Sequence, residues 1–263
     1  MSRKDVWAYV RYALGEVLLI VAGILLALQI NNWNEERIEQ KEIREYALNL
    51  SDAIDADMKM LGPVEMQIKA IMRQSEEAAN YLRNRAVDEM SNAELFFLTN
   101  TTGYRPYTWN RAALEQLKAS GGLRKMQNTL LVQRISDYDA LAQHLDQDYQ
   151  EDEGSARAIW HLVNELIDQN YPLDGLYELL LWEDGFTDSD IERRLTKFRE
   201  TELFKELKNM NRSLLSQDIA KFRQLANLNR DYSENVRARP DIELPRLREF
   251  AREIQSLIND DYR

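Results

Sequence analysis

The chain has 263 residues, of which only 9 are Gly and 5 Pro. That is about 5% together against about 12% in an average chain, and since hairpins and tight turns consume those residues, the composition argues against sandwiches, barrels and doubly wound sheets and for long helices. Hydrophobic residues (44%) suffice for a core, 34 basic against 45 acidic side chains (net −11) are the wrong sign for a nucleic-acid binder, and the absence of Cys removes disulfides, thiolate metal ligands and thiol nucleophiles.

Residues 1–12 form a basic tail with Arg3, Lys4 and Arg11. From Val17 to Leu28 every residue is apolar or Gly, and the apolar character extends through Ala13, Leu14 and Ile30. Tyr9, Tyr12 and Trp33 flank the run, where amphipathic rings favour the headgroup layer. Residues 13–33 match the length of about 20 residues needed to cross about 30 Å of hydrocarbon. No small-x-small cleavage site follows, so a retained transmembrane helix is expected rather than a signal peptide. A buried core helix is the competing reading, because the uninterrupted run is short. Arg37, Lys41 and Arg44 balance the basic residues of the tail, but the tail is nearly free of acidic neighbours. A cytoplasmic N-terminus and an exported, periplasmic domain over residues 34–263 are therefore expected.

Within the span, Glu16, Ile20, Gly23, Ala27 and Asn31 share one helical stripe. Gly23 and Ala27 form a small-xxx-small pair, so the stripe is a candidate association seam with polar ends. Glu16 has a second reading, in which it lies one turn inside the interface and reaches water or Arg11.

The stretch ALGEVLLIVAGILLALQINNWNEER resembles the N-terminal signature of a family of uncharacterised bacterial single-span membrane proteins, a domain-of-unknown-function group. The stretch YRPYTWNRAALEQLKASGGLRKMQNTLLVQRISDY is similar to that family's central pattern of an aromatic loop, a short helix ending in Ser-Gly and a helix ending at Tyr. The resemblance implies architecture and a place in the bacterial inner membrane. It carries no activity and no catalytic residues.

Beyond the membrane the pattern is helical throughout, giving an all-α fold: one transmembrane helix continuing into a long helix, followed by an extramembrane helical bundle. No Gly or Pro falls between Gly23 and Gly62, so a rod to Leu61 is expected. Ile43, Ala47, Leu50, Ile54 and Leu61 make a coiled-coil-like seam with Asp57 in the missing slot. Gly62-Pro63 reads as a stop and restart. Val64, Ile68, Ile71, Ser75, Ala78 and Leu82 repeat the period, so residues 34–85 are expected to fold as an antiparallel hairpin. Ser91-Asn92-Ala93-Glu94 reads as a capping box opening a short helix. A loop over 101–108 leads to a helix capped by Asn110 and ending at Ser120-Gly121-Gly122. Amphipathic faces follow at Leu130, Ile135, Tyr138, Leu141 and Leu145, then at Ile159, Leu162, Val163, Leu166 and Ile167, up to Pro172. A turn-rich patch over 182–187 precedes a short helix over 188–198, a long helix to Arg237, a break at Arg239-Pro240 and a last helix from Pro245 to Tyr262.

Candidate chemistry is sparse. His144 and His161 have no Cys and no His-x-x-x-His spacing, so no zinc site and no other cofactor is expected. Asp146, Asp148, Glu151, Asp152 and Glu153 fail the EF-hand pattern, since Glu151 and Arg157 stand where Gly and Glu are required, and read as a solvated face. Nucleophile elbows and phosphate loops are absent, so an enzyme is not expected. The rings and guanidinium of Tyr104, Arg105, Tyr107 and Trp109 make the best candidate partner or ligand loop. The alternative is that these rings tuck into the bundle. Trp160 and Trp182 are expected in the core. The expected function is a non-enzymatic membrane-anchored scaffold or accessory subunit, partnered by the bilayer and by copies of itself or a larger membrane complex. An exported ligand-binding, sensor-like module is the alternative, and a carboxylate-dependent hydrolase the least favoured class.

Overall fold

The computed structural model describes the backbone of residues 3–99, 107–171 and 191–263, and the side chains of residues 16–99, 107–171 and 195–263. The described residues are helical apart from turns and one isolated antiparallel bridge between Ile167 and Leu214, so the chain is all-α. Helix α1 spans Arg3–Asn84, and its 82 residues extend about 120 Å at 1.5 Å per residue. Short helices α2 (Asn92–Thr99), α3 (Ala112–Ala119) and α4 (Gly122–Lys125) lead to α5 (Thr129–Leu166). After the undescribed stretch come α6 (Ile191–Glu200), α7 (Glu202–Asn209), α8 (Ile219–Ala238) and α9 (Leu244–Tyr262).

The chain does not turn back at Gly62-Pro63, where a hairpin was expected; α1 runs through both residues. Proline removes one helical hydrogen bond, the one to the carbonyl of Lys59, and both Pro63 and Lys59 lie on the exposed face. On the opposite face Leu61 and Ile68 are buried on either side of Pro63, and that packing outweighs the local cost. Ile43, Ala47, Leu50, Ile54, Leu61, Ile68, Ile71, Ser75, Ala78 and Leu82 are all buried, as the periodicity required. Their partner is the C-terminal part of the chain. Arg83 reaches Asn227, Ser233 donates to the carbonyl of Met72, Arg248 pairs with Glu65, and Arg44 donates to the carbonyl of Tyr262. Helices α8 and α9 therefore lie in sequence antiparallel to α1, α8 over its far end and α9 nearer the N-terminus.

Helix α5 is the third long element. Its ion pairs Arg134–Glu253, Arg239–Asp152 and Lys221–Glu165 fix it antiparallel to α8 and α9 and hence parallel to α1. It passes through Gly154 without interruption. Leu131, Ile135, Ile159, Val163 and Leu166 of α5 meet Phe222, Leu225, Tyr232 and Val236 of α8 and Leu247, Ile254 and Ile258 of α9 in one core. Trp160, expected inside, is 49% exposed, because it lies on the outer side of the helix that buries Ile159 and Val163.

Four local expectations are corrected by the structure. Ser91 caps α2 by accepting from the amide of Glu94, but the Glu94 carboxylate does not close the box; it accepts from Tyr81 at 2.5 Å and Arg199 at 2.6 Å. Asn110 caps nothing, and its amide donates to Asp57. At Arg239-Pro240 the helix widens into a π turn over Arg239–Glu243 and continues into α9. Proline has no N–H to give the α ladder, and the wider turn absorbs that loss without breaking the chain's course. The short helix expected over 188–198 is α6, and the single long helix expected to follow it up to Arg237 is divided into α7 and α8, separated over 210–218.

Candidate functional site

Between Glu16 and Ile38 no residue of α1 is buried, and Leu19 is 76% exposed. Helix α1 is long and apolar enough to cross a membrane by length and composition, and none of its apolar window is buried against the other described residues. Polar and buried partners begin where this bare stretch ends. Asn31 donates to Glu35, Arg37 lies 5.8 Å from the Trp33 ring, Glu39 pairs with Lys125 of α4, and Ile43 is the first buried residue. Glu16, Ile20, Gly23, Ala27 and Asn31 are all exposed, and a Cβ added at Gly23 would meet nothing within 4 Å.

Of the aromatic loop, Tyr104 and Arg105 lie outside the described residues. Tyr107 and Trp109 are brought together edge to face at 5.2 Å, but both are turned inward. The Tyr107 hydroxyl donates to Asp57 at 2.7 Å, and the Trp109 indole donates to Asp146 at 2.9 Å. Asp146 also takes a hydrogen bond from Arg111, and Asp57, only 2% exposed, takes further ones from Tyr138 and the Asn110 amide. Residues 107–111 thus strap α5 to α1 at the level of Asp57. Burial pushes the Tyr107 phenol up to about 12, helped by the Asp57 charge, and moves Tyr138 up for the same reasons. Nothing in the sequence pairs Asp57 with residues 50 and 81 positions away; the one signal was its place in an otherwise apolar seam.

The chain matches no protein-family model, no curated protein and no solved structure.

The acidic cluster on α5 is only partly the solvated face expected. Glu151 is exposed, but Asp148 is 7% and Asp152 2% exposed, facing the π turn. There Arg239, itself buried, lies 3.2 Å from Asp152, 3.6 Å from Asp148 and 3.5 Å from Glu243. His144 closes the group from the rim, with Nε2 at 3.4 Å from Asp148 and 3.7 Å from Glu243. Burial pushes the Glu243 carboxyl up; Arg239 opposes that rise, and Asp148 adds to it. Sequence reading missed Arg239 and Glu243 because they stand about 90 residues along the chain from their partners and carry no motif.

Proposed function

We propose that this chain is a non-enzymatic, single-span membrane scaffold or accessory subunit, with its N-terminus cytoplasmic and its helical body periplasmic in a bacterial inner membrane. The observation carrying the reading is the bare apolar surface of residues 17–30, on the same unbroken helix that forms the spine of the packed body. An exposed apolar surface of that extent is unfavourable in water and is satisfied by lipid. Glu39 is paired with the body only six residues beyond Trp33, so the body would stand about 9 Å from the interface at 1.5 Å per residue. Tyr107 and Trp109 support the scaffold over a ligand-binding module, since their polar atoms are spent within the chain. The resemblance of the N-terminal signature to single-span membrane proteins agrees with this placement.

The intact chain is expected to stay with vesicles through an alkaline carbonate wash, and its body to be cleaved by protease added to spheroplasts. Release by carbonate would overturn the membrane reading, and protection of the body would reverse the orientation. Gly23→Leu is expected to weaken crosslinked self- or partner association several-fold while leaving the melting of the body unchanged, because the site has free space around it within one chain. Unaltered crosslinking would remove the seam.

A further inference from the structure

We propose that His144, Asp148 and Glu243 bind one divalent transition-metal ion of the zinc class, clasping α5 to the π turn between α8 and α9. The geometry is the first support. His144 and Asp148 are one turn apart on the same face of α5, and Glu243 is the last residue of the widened turn that faces them. One ligand atom from each lies within 4.8 Å of the others, with Nε2 to Asp148 Oδ2 at 3.4 Å and Nε2 to Glu243 Oε1 at 3.7 Å. Ligands on a tetrahedral ion with bonds of about 2.0–2.1 Å stand about 3.3–3.4 Å apart. The two distances from Nε2 are within a few tenths of an ångström of that spacing, and side-chain rotation of Asp148 and Glu243 would close the remaining one.

Unsatisfied oxygens are the second support. Asp148 is more than nine-tenths buried, yet its Oδ2, the atom turned to His144, accepts no hydrogen bond, and neither does the buried Oε2 of Glu243. Arg239 approaches Asp148 through Oδ1, leaving Oδ2 to another partner, whereas Glu243 Oε1 faces both Arg239 and His144. A buried acceptor left open costs about 1–3 kcal/mol, more when it is charged. Such a residue persists where something else fills its lone pairs.

Charge is the third. Asp148, Asp152 and Glu243 place three carboxylates around the guanidinium of Arg239, all with side chains at most 13% exposed. Ionised, these four side chains sum to −2, a charge that one divalent ion would balance. One imidazole nitrogen and two carboxylate oxygens suit Zn²⁺ and its first-row neighbours, whereas Ca²⁺ and Mg²⁺ favour oxygen-only shells. The His144 side chain is 55% exposed, which gives the ion a way in and leaves water access to a fourth position. Arg239 and Asp152 then act in the outer sphere, holding the carboxylates in orientation.

The test uses the full, tag-free chain in detergent, stripped with chelator and titrated with ZnCl₂ in a calorimeter, with CoCl₂ as a spectroscopic probe. One zinc per chain, a visible cobalt band and a zinc-dependent rise in melting temperature are expected. His144→Ala should weaken zinc at least 10-fold, while His161→Ala, which alters the other, remote histidine, should not. Because His144 lies at the rim, its loss leaves the fold intact, so the contrast between the two variants carries the result. Absence of saturable zinc binding overturns the proposal. Binding that survives His144→Ala or vanishes with His161→Ala overturns it equally.

Discussion

Asp57 is a carboxylate in a seam of Ile, Ala and Leu, and three donors from two other segments converge on it. Asp57→Ala leaves those donors without their acceptor and is expected to cost about 2–4 kcal/mol in a denaturant melt. Its charge also sets an alkaline limit. The Tyr107 phenol is raised from 10 to about 12 in the folded chain, so the folded state favours the neutral form. That contribution is complete below pH 10 and is lost as pH rises towards about 12. The melting temperature should therefore hold from pH 7 to 9 and fall above 10, and the fall should be shallower in Asp57→Asn, where the repelling charge is gone. Glu94 sets the acid limit. Its burial raises the carboxyl pKa, but the bonds from Arg199 and Tyr81 outweigh burial and hold it below the ordinary value. Its contribution is present at neutral pH and disappears as pH falls through the range below 4.5, and Arg199→Gln should move that acid transition upward.

Among the elements, α1 separates what was legible from what was not. Apart from Val64, which is half-buried, the positions that the sequence period marked from Ile43 to Leu82 are buried, because a 3.5-residue rhythm of apolar side chains needs no knowledge of the partner. The partner was misread. Gly62-Pro63 is a strong local stop, and only the packing of α8 and α9, more than 150 residues further on, overrides it. Pro63→Ala restores a hydrogen bond on the exposed face and should stabilise the body by about 1–3 kcal/mol, given an interior proline's cost of about 3 kcal/mol. In a hairpin the same change would remove a turn residue and lower stability, so the sign of the shift discriminates the two folds. The Ser-Gly-Gly corner was readable for a different reason. Gly121 has φ +72°, and a Cβ at Gly122 would come within 2.6 Å of Leu117. Local geometry of that kind leaves its mark in residue type, whereas the bonds from Tyr107 to Asp57 and from Arg239 to Asp152 leave none.

For the molecule as a whole, the bare stretch of α1 and the packed body meet between Ile38 and Ile43, with Glu39 already tied to Lys125. A chain beginning at Glu39 keeps every residue that is buried among the described ones and should be soluble without detergent, with the helical content and cooperative melt of the intact body; aggregation of that fragment would mean that residues 16–38 cover part of it. The continuity of α1 also governs how the protein is made. Its N-terminal half leaves the ribosome first, while Asn227, which pairs with Arg83, is 144 positions further on. At about 5–20 residues per second, the inner stripe of α1 waits on the order of ten seconds for its cover. Until that cover is made the greasy stripe stays undressed, so late-synthesised helices rather than fast local folding complete the body.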